Sequence, residues 1–125
     1  MIERIDSGIV AGSSPVNDAI KAGNQVWLVA IAEDPVTGEI VAGGIEAQTR
    51  RTIENLQMAV TAAGGTLANI VQVQVFLIDS VDAKGMNAVY AEYFKQPYPV
   101  RATVVVKELL ATGLRVEMLA TAVVG

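Results

Sequence analysis

The chain predicts an α+β domain in which two helices pack on a single mixed β-sheet. Three observations carry this. The apolar periods run in the order β-β-(β)-α-β-α-β-β along one uninterrupted stretch of 125 residues. Just over half the residues are apolar, yet aromatics are few, so Val and Ala supply most of the mass, which suits a Val-rich sheet on Ala-rich helices. No Pro/Gly/Ser-rich linker and no repeat divides the chain, so residues 1–125 form one domain, long enough to bury a real core.

Taken in order, "IERID" (2–6) alternates as an edge strand, and "SGIVAGSSPVND" reads as loop. "QVWLVAIA" (25–32) is a continuous apolar run, predicting a strand buried on both faces. Pro35 and Gly38 punctuate the turn "EDPVTGE", after which Ile40–Ala42 has room for a short returning strand. From Gly44 the period changes. Ile45, Thr49, Ile53, Leu56, Val60 and Ala63 recur at helical steps, leaving Glu46, Arg50, Glu54 and Gln57 outward, and Gly64-Gly65 closes the helix. In "NIVQVQVFLID" (69–79), Val71, Val73, Val75 and Leu77 face one way and Gln72, Gln74 and Phe76 the other. A second helix, 81–94, carries Met86, Val89, Tyr90 and Tyr93 on one side, and Pro97 and Pro99 forbid its continuation. As a crossover between strands it is expected to be right-handed.

Two strands, 101–107 and 115–123, end the pattern. Their parity places Arg101, Thr103, Val105 and Lys107 on one face, with Ala102, Val104 and Val106 expected in the core. Arg115, Glu117, Leu119 and Thr121 likewise oppose the apolar Val116, Met118 and Ala120. A simple hairpin would pair Val105 with Glu117 and set Arg101 roughly 13 Å along the strand. With only two helices, one sheet face is left uncovered. Gln72, Gln74 and Val105 are expected on it, and a half-apolar open face predicts oligomerisation.

Composition excludes much chemistry. The net charge is −4, and only Arg50-Arg51 place basic residues side by side, so no nucleic-acid footprint is present. No apolar run has membrane-spanning length, and "MIERIDSGIV" lacks a signal layout, so a cytoplasmic chain without membrane contact is expected. The chain has neither Cys nor His. Thiolate nucleophiles, His-based triads and the usual zinc ligands are therefore missing, and chemistry must run on carboxylates, Arg, Lys, Tyr, hydroxyls and water. No metal or other cofactor is implied. "GSSP" lacks phosphate-loop spacing.

Arg101 raises the functional question, because it opens a β-branched run in "YPVRATVVV" where burial is hardest. A solvated strand end, an ion pair and an anion grip all fit the pattern. Glu117 in "RVEML" reads equally as an ion-pair partner, Asn87 as an exposed helix residue, and Tyr90 and Tyr93 as packing.

Five segments in order, "DPVTGEI", "QTRRTIENLQMAVTAAGGTLANIVQVQVFLID", "MNAVYAEYF", "PVRATVVV" and "VEMLATA", resemble the YjgF/RidA family over nearly the whole chain. The resemblance implies a Bacillus chorismate mutase-like fold assembled as a homotrimer, with clefts between subunits. It implies enamine/imine deaminase activity on a small carboxylate-bearing substrate, releasing ammonia and a keto acid. It assigns Arg101 to the substrate carboxylate and Glu117 to the attacking water, and puts Asn87 and Thr103 beside the cleft. Two motifs depart from the family's pattern. Where typical members have "GPYSQA" with a cleft tyrosine, this chain has "SSPVNDA" and Val16. Where they have "SGQ", it has Leu28, Val29 and Ala30, which makes the substrate-binding positions Val16, Val29 and Ala30 more apolar. A non-catalytic trimeric carboxylate-binding module is the alternative. A ribonuclease role, described for some relatives, finds no basic groove here.

Overall fold

The structure, a computed structural model, describes residues 1–125. Six strands form one mixed sheet: β1 (Glu3–Arg4), β2 (Ala19–Ala22), β3 (Gln25–Ile31), β4 (Ile70–Leu77), β5 (Val100–Val105) and β6 (Val116–Val123). Their spatial order is β1-β2-β3-β6-β4-β5. Two helices, α1 (Ile45–Ala62) and α2 (Ala83–Tyr93), pack on one face and share a single apolar core with it.

The expected face of α1 is the observed one. Ile45, Thr49, Ile53, Leu56 and Val60 are all buried, and Gly64 ends the helix with φ +94°, a conformation that side chains with a Cβ resist. On α2, Met86, Val89 and Tyr90 are buried, and Tyr90 stacks on Phe94. Burying a side chain such as Met118 or Leu56 completely contributes about 1.5–3 kcal/mol, so this one-sided core holds the sheet to the helices. The returning strand at Ile40–Ala42 is reduced to one bridge between Glu33 and Ile40.

Four sequence expectations are corrected. First, β3 is buried on one face only: Val26, Leu28 and Ala30 are inside, while Gln25 and Trp27 are exposed, because no helix covers the other side. Second, Val71 is exposed at a register shift between Ile70 and Gln72, which hands its core position to Ile70.

Third, the last two strands do not form a hairpin. α2 carries the chain from β4 to a parallel β5 at the sheet edge, and the connection 106–115 then returns it to an antiparallel β6 between β3 and β4. Fourth, the parity of β5 is inverted. Arg101, Thr103 and Val105 register with the buried Val73, Val75 and Leu77, so they face the helix side, and Ala102 and Val104 face the open side. Ala102, Val104 and Val106 are not core residues, since an edge strand has neighbours on one flank only. Val105 therefore does not belong to the open face, which does include Gln72 and Gln74.

That open face carries Trp27, Leu119, Val104 and Val123 partly exposed, with Leu119 at 47% of its full accessibility. It is a broad apolar surface without a cover in one chain.

Candidate functional site

Glu117 stands on the open face near the start of β6, directly between Ile31 of β3 and Phe76 of β4. Its flat sheet surroundings become a cleft of about 430 Å³ because the connection 106–115 folds over the sheet end and adds Leu109, Leu110 and Leu114 as a wall. Val16, Val29 and Ala30 border the same cleft, so three sequence-chosen positions meet Glu117. Their contributions differ. Val29 registers with Leu119 and faces the cleft, whereas the side chains of Leu28 and Ala30 belong to the core. Of the three residues in that motif, only Val29 gives the cleft a bulkier side-chain wall. Burial alone pushes the Glu117 carboxyl above the usual carboxylate range, leaving it a stronger base than a solvated glutamate.

Arg101 lies elsewhere. It sits on the helix side of edge strand β5, where Nη2 donates to Asn87 Oδ1 at 2.6 Å and the guanidinium lies 4.6 Å from the Tyr90 ring centroid. Nη1 rests 3.9 Å from Met86 Sδ. Asn87 is thus a holder of Arg101 in this conformation, with its amide oxygen already engaged. Thr103, two residues along, is exposed on the same face. The predicted residues form two half-sites: Glu117 with Val16, Val29 and Ala30 in the cleft, and Arg101 with Asn87 and Thr103 at the edge. In one chain these lie on opposite faces of the sheet.

The cleft also contains carboxylates that motif reasoning passed over, Asp18, Glu33 and Glu108, and no cationic side chain. For Glu33 the signal was the alternation of "IAE": Ala32 is wholly buried, so Ile31 and Glu33 share the open side. A second feature missed from sequence anchors the cleft wall. Buried Gln48 donates to the Gly113 carbonyl and accepts from the Arg115 N–H, both at 2.8 Å, while the Arg115 guanidinium binds both oxygens of Asp82. No group of three or more acidic residues converges closely enough to hold a metal ion.

The sequence model of the family described as Endoribonuclease L-PSP matches residues 10–124. A RutC family protein of Pyrococcus horikoshii is 46% identical over 96 residues, covering 76% of each chain. Reactive Intermediate Deaminase A of Arabidopsis thaliana chloroplasts is 34% identical over 113 residues, covering 89% of this chain and 60% of that one. The chain belongs to the YjgF/RidA family. Among solved structures of YjgF/RidA type, that of Escherichia coli TdcF with bound serine superposes with a TM-score of 0.89 at 30% identity, over 98% of this chain and 99% of that one. The single mixed sheet with two helices is therefore the YjgF/RidA architecture.

Within that family, the present chain keeps its adjacent basic pair occupied. Arg50 is ion-paired with Glu92 at 2.8 Å and Arg51 with Glu54 at 3.3 Å, which leaves the pair largely neutralised. No helix is long and apolar enough to cross a membrane.

Proposed function

We propose that this protein is a hydrolytic deaminase of a small enamine or imine carboxylic acid, working in a cleft that a second copy of the chain completes. The observation that carries the reading is the separation of Arg101 from Glu117. An anionic substrate has no cation to meet in the Glu117 cleft, while Arg101 waits at the sheet edge, oriented by Asn87 and Tyr90. Docking the β5 edge of one copy onto the open face of another would bring a guanidinium to the carboxylate-lined cleft and cover Trp27 and Leu119. A closed trimer does this three times with one kind of contact. Arginine's planar fork matches a substrate carboxylate with two parallel hydrogen bonds. The serine bound to the Escherichia coli relative, itself a small amino acid carrying a carboxylate, supports a ligand of this class. The name of the Arabidopsis relative supports the reaction.

The chemistry uses no group the chain lacks. An enamine tautomerises to R–C(=NH2+)–COO−. Glu117 takes a proton from water as the oxygen bonds to the C=N carbon and the π pair moves to nitrogen, giving a carbinolamine. Protonation of that nitrogen, cleavage of C–N and loss of the hydroxyl proton release ammonia and the keto acid. General-base help of this kind contributes about 10²–10⁴-fold.

The test is a trapping assay. An amino-acid oxidase generates 2-imino acids in the presence of semicarbazide, and semicarbazone formation is followed with wild type and Arg101→Ala. Suppression by wild type and not by the variant is expected. If neither suppresses trapping with any of several amino acids, the deaminase reading is wrong. The apolar Val16 and Val29 favour one other reading, a trimeric module that binds small carboxylates without turnover. Glu117→Gln separates the two, because only an enzyme loses turnover while keeping its ligand.

A further inference from the structure

We infer that Glu33 is a second proton-transfer group of the Glu117 cleft, delivering the proton that lets nitrogen depart. The inference rests on the deaminase reading above and adds a residue that reading does not use.

Position comes first. Ile31 pairs directly with Glu117 across β3 and β6, and Glu33 continues the β3 alternation two residues farther on the same face. The ladder ends at that pair: the backbone bends at Ala32, and Glu33 bridges to Ile40 beyond it. Both carboxyl groups line the one cleft, whose volume of about 430 Å³ has room for a water and a small substrate.

The segment is also held rigid. Asn55, buried on α1, donates from Nδ2 to the carbonyls of Ile31 at 2.9 Å and Glu33 at 2.8 Å, and Arg51 fixes its oxygen from Nε at 3.2 Å. The side chain of Glu33, by contrast, makes no hydrogen bond and no ion pair, so its carboxyl is free to act. The charged groups around the two clefts that meet at Glu33 are Asp18 and Arg4 on the N-terminal side, Glu108 from the connection 106–115, and Glu117. Arg115, at the end of the connection just before β6, is taken by Asp82. Burial and then the Asp18 charge raise the Glu33 pKa, so it keeps its proton to higher pH than a solvated glutamate.

The proton ledger closes without another reactant. Glu117 accepts a proton as water adds to the iminium carbon. Glu33, in its acid form, protonates the carbinolamine nitrogen. C–N then breaks with its electron pair going to nitrogen, and the new C=O forms as Glu33 recovers a proton from the hydroxyl. Ammonia takes the remaining proton from Glu117 and leaves as ammonium.

The experiment measures kcat and KM of imine hydrolysis across pH for wild type, Glu33→Gln and Glu33→Asp. Glu33→Gln is expected to lower kcat about 10²-fold with KM little changed, and to abolish the alkaline decline of kcat. Glu33→Asp should restore part of the rate and the decline. A Gln variant with wild-type kcat, or with lowered kcat and an unaltered pH profile, would overturn the inference alone. A wild type that hydrolyses no imine overturns the deaminase reading and this inference together.

Discussion

Arg115 and Asp82 form a two-pronged ion pair, Nη2 to Oδ1 at 2.6 Å and Nε to Oδ2 at 3.0 Å, with the aspartate almost fully buried. Together with Gln48 it pins the connection 106–115, whose leucines wall the Glu117 cleft, to the helical side of the domain. Asp82→Ala would strand a guanidinium that is only partly exposed. Breaking a fully buried pair costs about 3–5 kcal/mol, and the solvent access of Arg115 reduces this to about 1–3 kcal/mol. Urea denaturation should show that loss. An unchanged midpoint would mean that the pair contributes little beyond geometry.

The open face makes a prediction about assembly. Leu119 lies on it, whereas Val105 faces the helix side. Leu119→Asp should yield monomers by light scattering, and Val105→Asp, on the β5 edge that docks against that face, should weaken assembly as well. A Leu119→Asp trimer would place the interface elsewhere.

Arg101 is presented by its neighbours. Tyr90→Leu removes the ring beneath the guanidinium and should raise KM several-fold with kcat nearly constant, since such a contact is worth about 0.5–2 kcal/mol. Tyr90→Phe keeps the ring and should leave KM near that of wild type. Steady-state kinetics of the two variants decides it: equal effects would mean that the hydroxyl or general packing is what matters.

Glu117 links activity to stability through its raised pKa. A carboxyl whose pKa is higher folded than unfolded stabilises the fold most below its unfolded pKa. That contribution is lost as pH rises through the folded value. Glu117→Gln should therefore melt at higher temperature than wild type at neutral pH, with the gap closing below about pH 4. The same variant should lose about 10²–10⁴-fold in kcat. Melting curves that differ by the same amount at all pH values would refute the linkage.

Sequence periodicity located both helices and all the longer strands because each buries one regular stripe. It missed β2, a strand of four residues, although Gly23-Asn24 before β3 is a hairpin signal, and Gly23 adopts φ +60°. It misplaced β5 for a deeper reason. "VRATVVV" has apolar residues at both parities, and alternation reports the faces of a strand but not which strand lies beside it. The insertion of β6 between β3 and β4 is a long-range choice that no local pattern states. Hence the positions that share a cleft with Glu117 could be reached through resemblance, while the opposite-face placement of Arg101 and the presence of Glu33 in that cleft could not.

The central position of β6 has a consequence for biosynthesis. Of the six strands it leaves the ribosome last, yet it supplies the ladder on both flanks, to β3 and to β4. Until it emerges, the nascent chain holds two separate sheet fragments, each with an unpaired edge and an unfinished apolar face. Such edges invite pairing with other chains. Shielding of those fragments by a ribosome-associated chaperone would matter most in the interval before residues 116–123 are released.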